Sequence, residues 1–409
     1  MVLRQETDSA QSDRDWKHVS AELGLLLERP VEEQKRAGYF DTLTEILHQP
    51  ETWLVTAATM SRLSSELEPL LRTATAVILT GSGSSEFAGE CVRLPLQRAL
   101  NVPVQTIGSG SVLTHGSVVL PNEPSALMIS FARSGDSPES VAAVSLALSI
   151  KPNVRHLVIT CNRNGRLISS FAESESVSTV VLDDRTNDRS LVMTSSFTNM
   201  VLACLSFSRP ADDFLSLTNT ISVTGSDLLQ QAFQRLPAFA RRKFDRGFYL
   251  ASPPLVGATR ESALKMTEMT SGRVMTTCET YLGLRHGPMS AVHPDSLVVC
   301  FLSADASVRA YELDLIRELN EKKLGMCKLL VGSDVPLDIA GPNDLIIEHA
   351  GLDDDEVTSV LYLLVGQVLA FFRCMEEGLR PDAPSEDGVI NRVVGEFRIY
   401  EETAALSGS

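Results

Sequence analysis

The chain has 409 residues, 44% hydrophobic and 22% charged, a composition that belongs to a folded globular protein longer than one hydrophobic core usually organises. Its formal net charge of −16 repels polyanions, so nucleic acid and anionic membranes are excluded as general partners, and a phosphorylated ligand has to be held by local donors. Seven scattered cysteines with no CxxC pair predict a reduced, cytoplasmic setting.

The opening residues, MVLRQETDSAQSDRDW, are polar and carry no basic-then-apolar leader, so neither secretion nor membrane insertion is expected. Residues 1 to 70 read as a helical segment that packs on the main body. Phe40, Leu43, Ile46 and Leu47 in it share one helix face. From Ala74 the texture changes to short apolar runs separated by helical stretches: TAVILT at 75–80, SALMISF at 125–131 and RHLVITC at 155–161. Such alternation predicts a parallel sheet covered on both faces. The stretch 199–244 reads as mostly helical, with a connection through Arg209, Pro210 and Gly225. A second set of runs follows at 247–252, 296–303, 328–333 and 344–349, as though one unit were used twice. The expected division is therefore an α/β protein with a helical segment over 1–70, a first domain over 71–236 and a second over 237–409. The longest apolar stretch, Val360 to Phe372, is interrupted by Gln367 and has the length of a buried helix.

Two loops of the first half stand where strands end and helices begin: Gly81-Ser82-Gly83-Ser84-Ser85 and Arg133-Ser134-Gly135-Asp136-Ser137. Glycines let the backbone turn tightly, and the helix start and serine hydroxyls supply donors to phosphate oxygens. Ligands of open α/β sheets bind at the carboxyl edge, so the two loops can converge on one anion. A dinucleotide fingerprint is not met, and no Walker lysine follows either loop. The second half has no equivalent, because the strand ending at Ser303 runs into Ala304-Asp305-Ala306-Ser307 without glycine.

What the second half offers is side-chain chemistry. Glu261, Lys265 and Glu268 are spaced to lie along one helix face. Two carboxylates flanking an ammonium suit acid/base work, although a solvated salt-bridged face has the same spacing. His286, in Gly283-Leu284-Arg285-His286-Gly287-Pro288, can exchange protons near neutral pH. The other six histidines show no metal-ligand spacing, so no metal is expected.

The runs GSGSS, SFARSGDSPESVAAV, ITCNRNG, MTSSFTNM, RESALKMTEMTSG, GLRHGP and NRVV together resemble the sugar isomerase (SIS) domain family. The resemblance is strongest to its tagatose-6-phosphate ketose/aldose isomerase branch, also described as galactosamine-6-phosphate deaminase, and spans about Gln49 to Arg398. It implies two flavodoxin-like SIS domains, each a parallel-stranded αβα sandwich. By motif position the substrate contacts would be Ser84, Ser85, Ser134 and Ser137 with Arg133 beside them. Glu268 would be the proton-shuttling base and His286 the group that assists ring opening, supported by Glu261 and Lys265. The substrate would be a small sugar phosphate and no cofactor would be needed. The relative glucosamine-6-phosphate synthase takes its histidine from the partner subunit, which implies a homodimer or higher homo-oligomer with shared sites. Two positions depart from that synthase: its tail lysine is matched by Asn391 and Arg392, and its glycine-rich turn in the second domain reads Ala251-Ser252-Pro253-Pro254. Synthase activity itself is not expected, since the first cysteine is Cys91. SIS domains also occur in sugar-phosphate-sensing regulators, but no basic recognition helix is seen in the N-terminal region.

Overall fold

The structure is a computed structural model that describes residues 16–123, 125–385, 387–393, 395 and 398–400. The N-terminal segment before residue 16 lies outside them. Within the described residues the segment is helical as expected: α1 (Ala21–Glu28), α2 (Val31–Ala37), α3 (Phe40–Leu47) and α4 (Gln49–Arg72). On α3, Leu43, Ile46 and Leu47 are buried together, as their spacing requires.

The apolar runs of the first half become strands, and the stretches between them become the covering helices. These are β1 (Ala76–Thr80), α5 (Ser84–Leu100), β2 (Val104–Thr106), α6 (Ser109–Val119), β3 (Ala126–Ala132), α7 (Pro138–Ile150), β4 (Arg155–Thr160), α8 (Arg166–Ser169) and β5 (Val177–Val181). All pairings are parallel, in the order β2-β1-β3-β4-β5. Helices α9 (Ser195–Leu205) and α10 (Ala211–Ala240) carry the chain across. The second half then adds β6 (Arg246–Leu250), α11 (Val256–Met269), β7 (Met275–Glu279), α12 (Tyr281–Leu284), β8 (Leu297–Phe301), α13 (Ala306–Glu321), β9 (Cys327–Ser333), β10 (Leu345–His349) and α14 (Asp355–Glu376). Its order is β10-β9-β8-β6-β7. Numbered within each unit, both sheets read 2-1-3-4-5, a doubly wound order whose switch point lies between the first and third strands.

Two features differ from the sequence reading. Gly225 is not part of a connection: it sits inside α10, where a Cβ would come within 2.5 Å of the Trp53 ring. A glycine chosen for close helix packing looks, in sequence, like a breaker. The strands β2, β5 and β7 were also not marked by apolar runs. All three are edge strands, and their partly exposed burial leaves no continuous hydrophobic stretch.

The helix α14 is long and apolar enough to cross a bilayer by composition, yet that apolar stretch is wholly buried. It packs against α10 and α11 in a core that both sheets share. Its Gln367 accepts a hydrogen bond from Gln49 on α4 at 2.7 Å and donates to the Thr194 carbonyl at 3.3 Å. Thus the interruption in the apolar run is a paired buried amide, as burial demands. Asp382, beyond α14, fastens the end of the chain: its carboxylate accepts from the amide and hydroxyl of Thr42, both at 2.8 Å, its N–H donates to Gly38, and its carbonyl accepts from Leu191.

Candidate active site

The two glycine-serine loops follow β1 and β3, which are hydrogen-bonded neighbours with Thr80 opposite Ser130. The loops therefore leave the sheet side by side at its switch point. Gly83 at φ +56° and Gly135 at φ +66° supply the left-handed turns. Ser84 and Ser85 open α5 and are nearly buried. Ser134 and Ser137 are half-buried. The Ser134 hydroxyl accepts from the Asp136 amide at 3.2 Å, and the Ser137 hydroxyl, just before α7, donates to Glu139 at 2.6 Å.

Helix α11 brings the titratable groups to this edge. Gly257 in its first turn lies so close to α5 that a Cβ would fall 2.6 Å from the Cys91 amide nitrogen and 2.7 Å from the Phe87 carbonyl oxygen. Two turns further along, Lys265 reaches across: its Nζ is 3.3 Å from Ser84 Oγ, 3.1 Å from Glu261 Oε1 and 2.5 Å from Glu268 Oε2. The side chains of Glu261 and Lys265 are fully buried, whereas that of Glu268 is 30% exposed. The spacing that could have marked a solvated face thus belongs to a buried one. Glu268 is the member of the trio that reaches solvent.

Burial pushes the Glu261 carboxyl up to about 7; the Lys265 ammonium pulls it down and the Glu268 charge adds to the rise. Burial also opposes the Lys265 ammonium, but its two carboxylate neighbours outweigh that and hold its pKa above the usual lysine value. At neutral pH the cluster is a fixed cation beside Glu268, with Glu261 poised to hold or release a proton. Such an arrangement can move protons on a substrate at Glu268 without exposing the lysine to solvent.

Arg133 is also at this edge, but its two terminal nitrogens are committed. One donates to the carbonyls of Ser190, Leu191 and Val192 at 3.2, 3.0 and 3.2 Å, and the other to the carbonyl of Arg392 at 2.6 Å. Burial and the neighbouring Arg392 lower its pKa, while Asp188, Glu45 and Glu268 act in the other direction. Arg392 itself donates to the Asp188 carbonyl and the Asn187 side chain, each at 2.6 Å. The two arginines therefore clasp the C-terminal tail to the 187–192 loop.

His286 is the expected site residue that makes no hydrogen bond to the others in this chain. It follows α12, its ring is exposed, and within the described residues the ring makes no hydrogen bond. Conversely, the structure adds a group to which the sequence reading gave no role. The carboxylate of buried Asp188 accepts from the amides of Thr194, Ser195 and Ser196 and from the hydroxyls of Ser195 and Ser196, at 2.5 to 3.2 Å. Thr194 is held at φ −126°, ψ −80°, with its hydroxyl buried and without a partner among the described residues. The only sign of this in the sequence is an aspartate six residues before a Thr-Ser-Ser helix start.

A larger cleft of about 1070 Å³ lies away from Lys265, at the carboxyl edge of the second sheet. Asp305, Asp353, Asp354, Asp355 and Glu356 line it, against the single cation Arg98. That charge disfavours a phosphate there, so size alone does not mark the active site. Among the described residues no cluster of His, Cys, Asp and Glu is arranged to hold a metal ion.

No family model matches the chain. Individual relatives do. The chain is 34% identical over 365 residues to the D-galactosamine-6-phosphate deaminase AgaS of Escherichia coli, covering 86% of this chain and 94% of that protein. It matches the crystal structure of tagatose-6-phosphate ketose/aldose isomerase from Escherichia coli with a TM-score of 0.77 and 33% identity, over 84% of this chain and 95% of that one. The C-terminal domain of glucosamine-fructose-6-phosphate aminotransferase from Francisella tularensis shares the fold, with a TM-score of 0.72 at 17% identity over 83% of this chain and 96% of that one. With its paired sheets and its cross-domain Ser84–Lys265–Glu268 cluster, the chain belongs to the sugar isomerase (SIS) domain family, in the branch of the D-galactosamine-6-phosphate deaminases and tagatose-6-phosphate ketose/aldose isomerases.

Proposed function

We propose that the protein is an amino-sugar-phosphate deaminase and aldose-ketose isomerase that converts D-galactosamine 6-phosphate and water to tagatose 6-phosphate and ammonia. The reading is supported by one observation above all: Lys265 lies within 3.3 Å of Ser84 on the first sheet's anion loop and 2.5 Å of Glu268. A phosphate held by the Ser84-Ser85 and Ser134-Ser137 loops, within residues 71–236, leaves the open chain beside the acid/base groups of residues 237–409.

In this mechanism Glu268 removes the proton from carbon 2 of the open-chain aldehyde, the electrons form the double bond between carbons 1 and 2, and the carbonyl π bond opens as O1 takes up a proton, giving the enolamine. The same carboxyl returns its proton to carbon 1 while the nitrogen releases one, giving a ketimine at carbon 2. Water adds to the ketimine, the carbon–nitrogen bond breaks, and ammonia leaves a 2-ketose. Lys265 orients Glu268, and Glu261 offsets the buried cation. His286, exposed on its own subunit, assists ring opening in the site of a partner within a cytoplasmic homodimer.

The test is to incubate the purified chain with galactosamine 6-phosphate, glucosamine 6-phosphate or tagatose 6-phosphate while following ammonia and ketose. Galactosamine 6-phosphate should give both products in equal amounts. Glu268→Gln should lower kcat by about 10²- to 10⁴-fold, the usual worth of a positioned base, with the fold unchanged by circular dichroism. Ammonia release at the parent rate in that variant would sink the assignment.

A further inference from the structure

Helix α3, in the N-terminal segment, sends one buried carboxyl toward the phosphate loops. Glu45 Oε1 accepts the amides of Arg189 and Ser190 at 2.5 and 3.2 Å. Its Oε2 is hydrogen-bonded to the Ser190 hydroxyl, which also lies 3.1 Å from the Val192 carbonyl. The carbonyls of Ser190, Leu191 and Val192 are the three that hold one terminal nitrogen of Arg133. Arg133 directly precedes Ser134 and is close enough to Glu268 to feel its charge. A chain of contacts thus runs from Glu45 through the 189–192 turn to the loop after β3.

The Ser190 hydroxyl has one proton and two oxygens within reach of it. A carbonyl only accepts, so when that proton goes to Val192 the contact with Glu45 needs a proton on Oε2, while Oε1 keeps both amides. Burial pushes the Glu45 carboxyl up to about 8; Asp188 adds to the rise, and the Ser190 hydroxyl and the two amides oppose it. At neutral pH the proton is therefore in place. The other groups around it are the Arg133 guanidinium across the turn and, at the end of α3, His48, which faces Asp188, Arg185 and Asp183 and is held down to about 4 by burial. Once Glu45 ionises, the hydroxyl turns to the carboxylate, Val192 loses a donor, and a second negative charge stands near Asp188. We propose that Glu45 is a positioning residue for the substrate phosphate: by holding the 189–192 turn it fixes Arg133 beside the Ser134–Ser137 loop. The proposal rests on the reading of that loop as the phosphate cradle.

The test uses the full-length protein labelled with carbon-13 arginine, in which the Arg133 Cζ resonance is identified by its loss in Arg133→Lys. As pH rises, that resonance should shift in the parent with a midpoint of about 8, following Glu45. It should stay in place in Glu45→Gln, whose amide supplies both the acceptor for the two backbone N–H groups and the donor for Ser190. In steady-state kinetics with galactosamine 6-phosphate, KM should rise about 2- to 10-fold in the parent above about pH 8 and not in Glu45→Gln, the worth of one hydrogen bond. Glu45→Ala should raise KM about tenfold at every pH with kcat little changed. A merely structural role for Glu45 would lower stability without making KM follow its proton. The proposal is overturned if Glu45→Gln keeps the parental pH dependence, or if Glu45→Ala leaves KM unaltered; should Glu45→Ala fail to fold, the comparison of the parent with Glu45→Gln decides. A chain whose Arg133 resonance titrates as expected but which releases no ammonia supports the grip on Arg133 and removes only the deaminase reading.

Discussion

Glu312 shows at single-residue scale how burial turns a carboxylate into a pH-dependent element of the fold. It is fully buried, accepts the Ser303 amide at 2.8 Å, and burial pushes its carboxyl up to about 7 from an ordinary 4.5. A raised carboxyl pKa means that the folded chain holds the proton more tightly than the unfolded chain. The contribution is therefore full below about pH 4.5 and is lost as pH rises toward 7, on the order of 3 kcal/mol in all. Glu312→Gln keeps an acceptor for the amide without the charge. Urea unfolding should find the variant gaining about 2 to 3 kcal/mol on the parent chain between about pH 5 and pH 8, and parallel curves would refute the account. Ser84 supports a different prediction. Ser84→Ala removes the hydroxyl nearest Lys265 and should raise KM for the sugar phosphate about 5- to 100-fold, as the loss of a charge-assisted hydrogen bond does, readable in steady-state kinetics.

Much of the candidate site's geometry was legible at this scale because its residues lie in short motifs. The Glu261, Lys265 and Glu268 spacing stated which side chains share a face, and the two glycine-serine loops stated where donors sit. Spacing could not tell a solvated face from a buried one. What decides it is Gly257, which lets α11 touch α5. Arg133 was legible as a residue of the loop but not as a clasp, because its partners at 190–192 and 392 are carbonyls, and a carbonyl leaves no mark in a sequence.

Among the elements, α11 carries the site, and its distance from α5 is the quantity that matters. Filling that contact with Gly257→Val forces the helices apart, at about 1 to 3 kcal/mol or more for an overpacked position. The outward shift should lower kcat more than it raises KM, because Lys265 and Glu268 move while the loops do not. A KM effect alone would argue against this geometry. The two sheets share one strand order, yet their switch points are furnished differently. In the second, the Ser303 and Ala304 amides already donate within the chain, Ser303 to Glu312 at 2.8 Å and Ala304 to Asp355 at 2.7 Å, while Asp305 caps the start of α13. The missing glycine after Ser303 was the readable sign of this, and the carboxylates that take these amides were not, since Asp355 lies 51 residues from Ala304.

For the whole molecule, the exposed His286 ring and the Glu261, Lys265 and Glu268 cluster set a test of the shared-site reading. If each site takes its histidine from a partner, an equal mixture of Glu268→Gln and His286→Asn chains, refolded together, recovers about a quarter of the parental activity, because half the dimers are mixed and each has one intact site. Either variant alone should retain on the order of 1% of the parental activity or less. No recovery would place the histidine and the carboxylate of each site on one chain. A shared site is not readable from composition or periodicity. Both are properties of one chain, and an interface has to be inferred from what a subunit leaves incomplete.

The fastening at Asp382 bears on how the protein can be handled. A single carboxylate beyond the last long helix grips the N-terminal α3 at Thr42, while the same residue's backbone is bonded to Gly38 and to the loop at Leu191. Residues 38 and 42 near α3, the loop at 191 and the segment after α14 are thus joined through one residue. Truncating the protein before residue 382, or fusing a bulky reporter just there, would loosen α3 as well as the segment after α14.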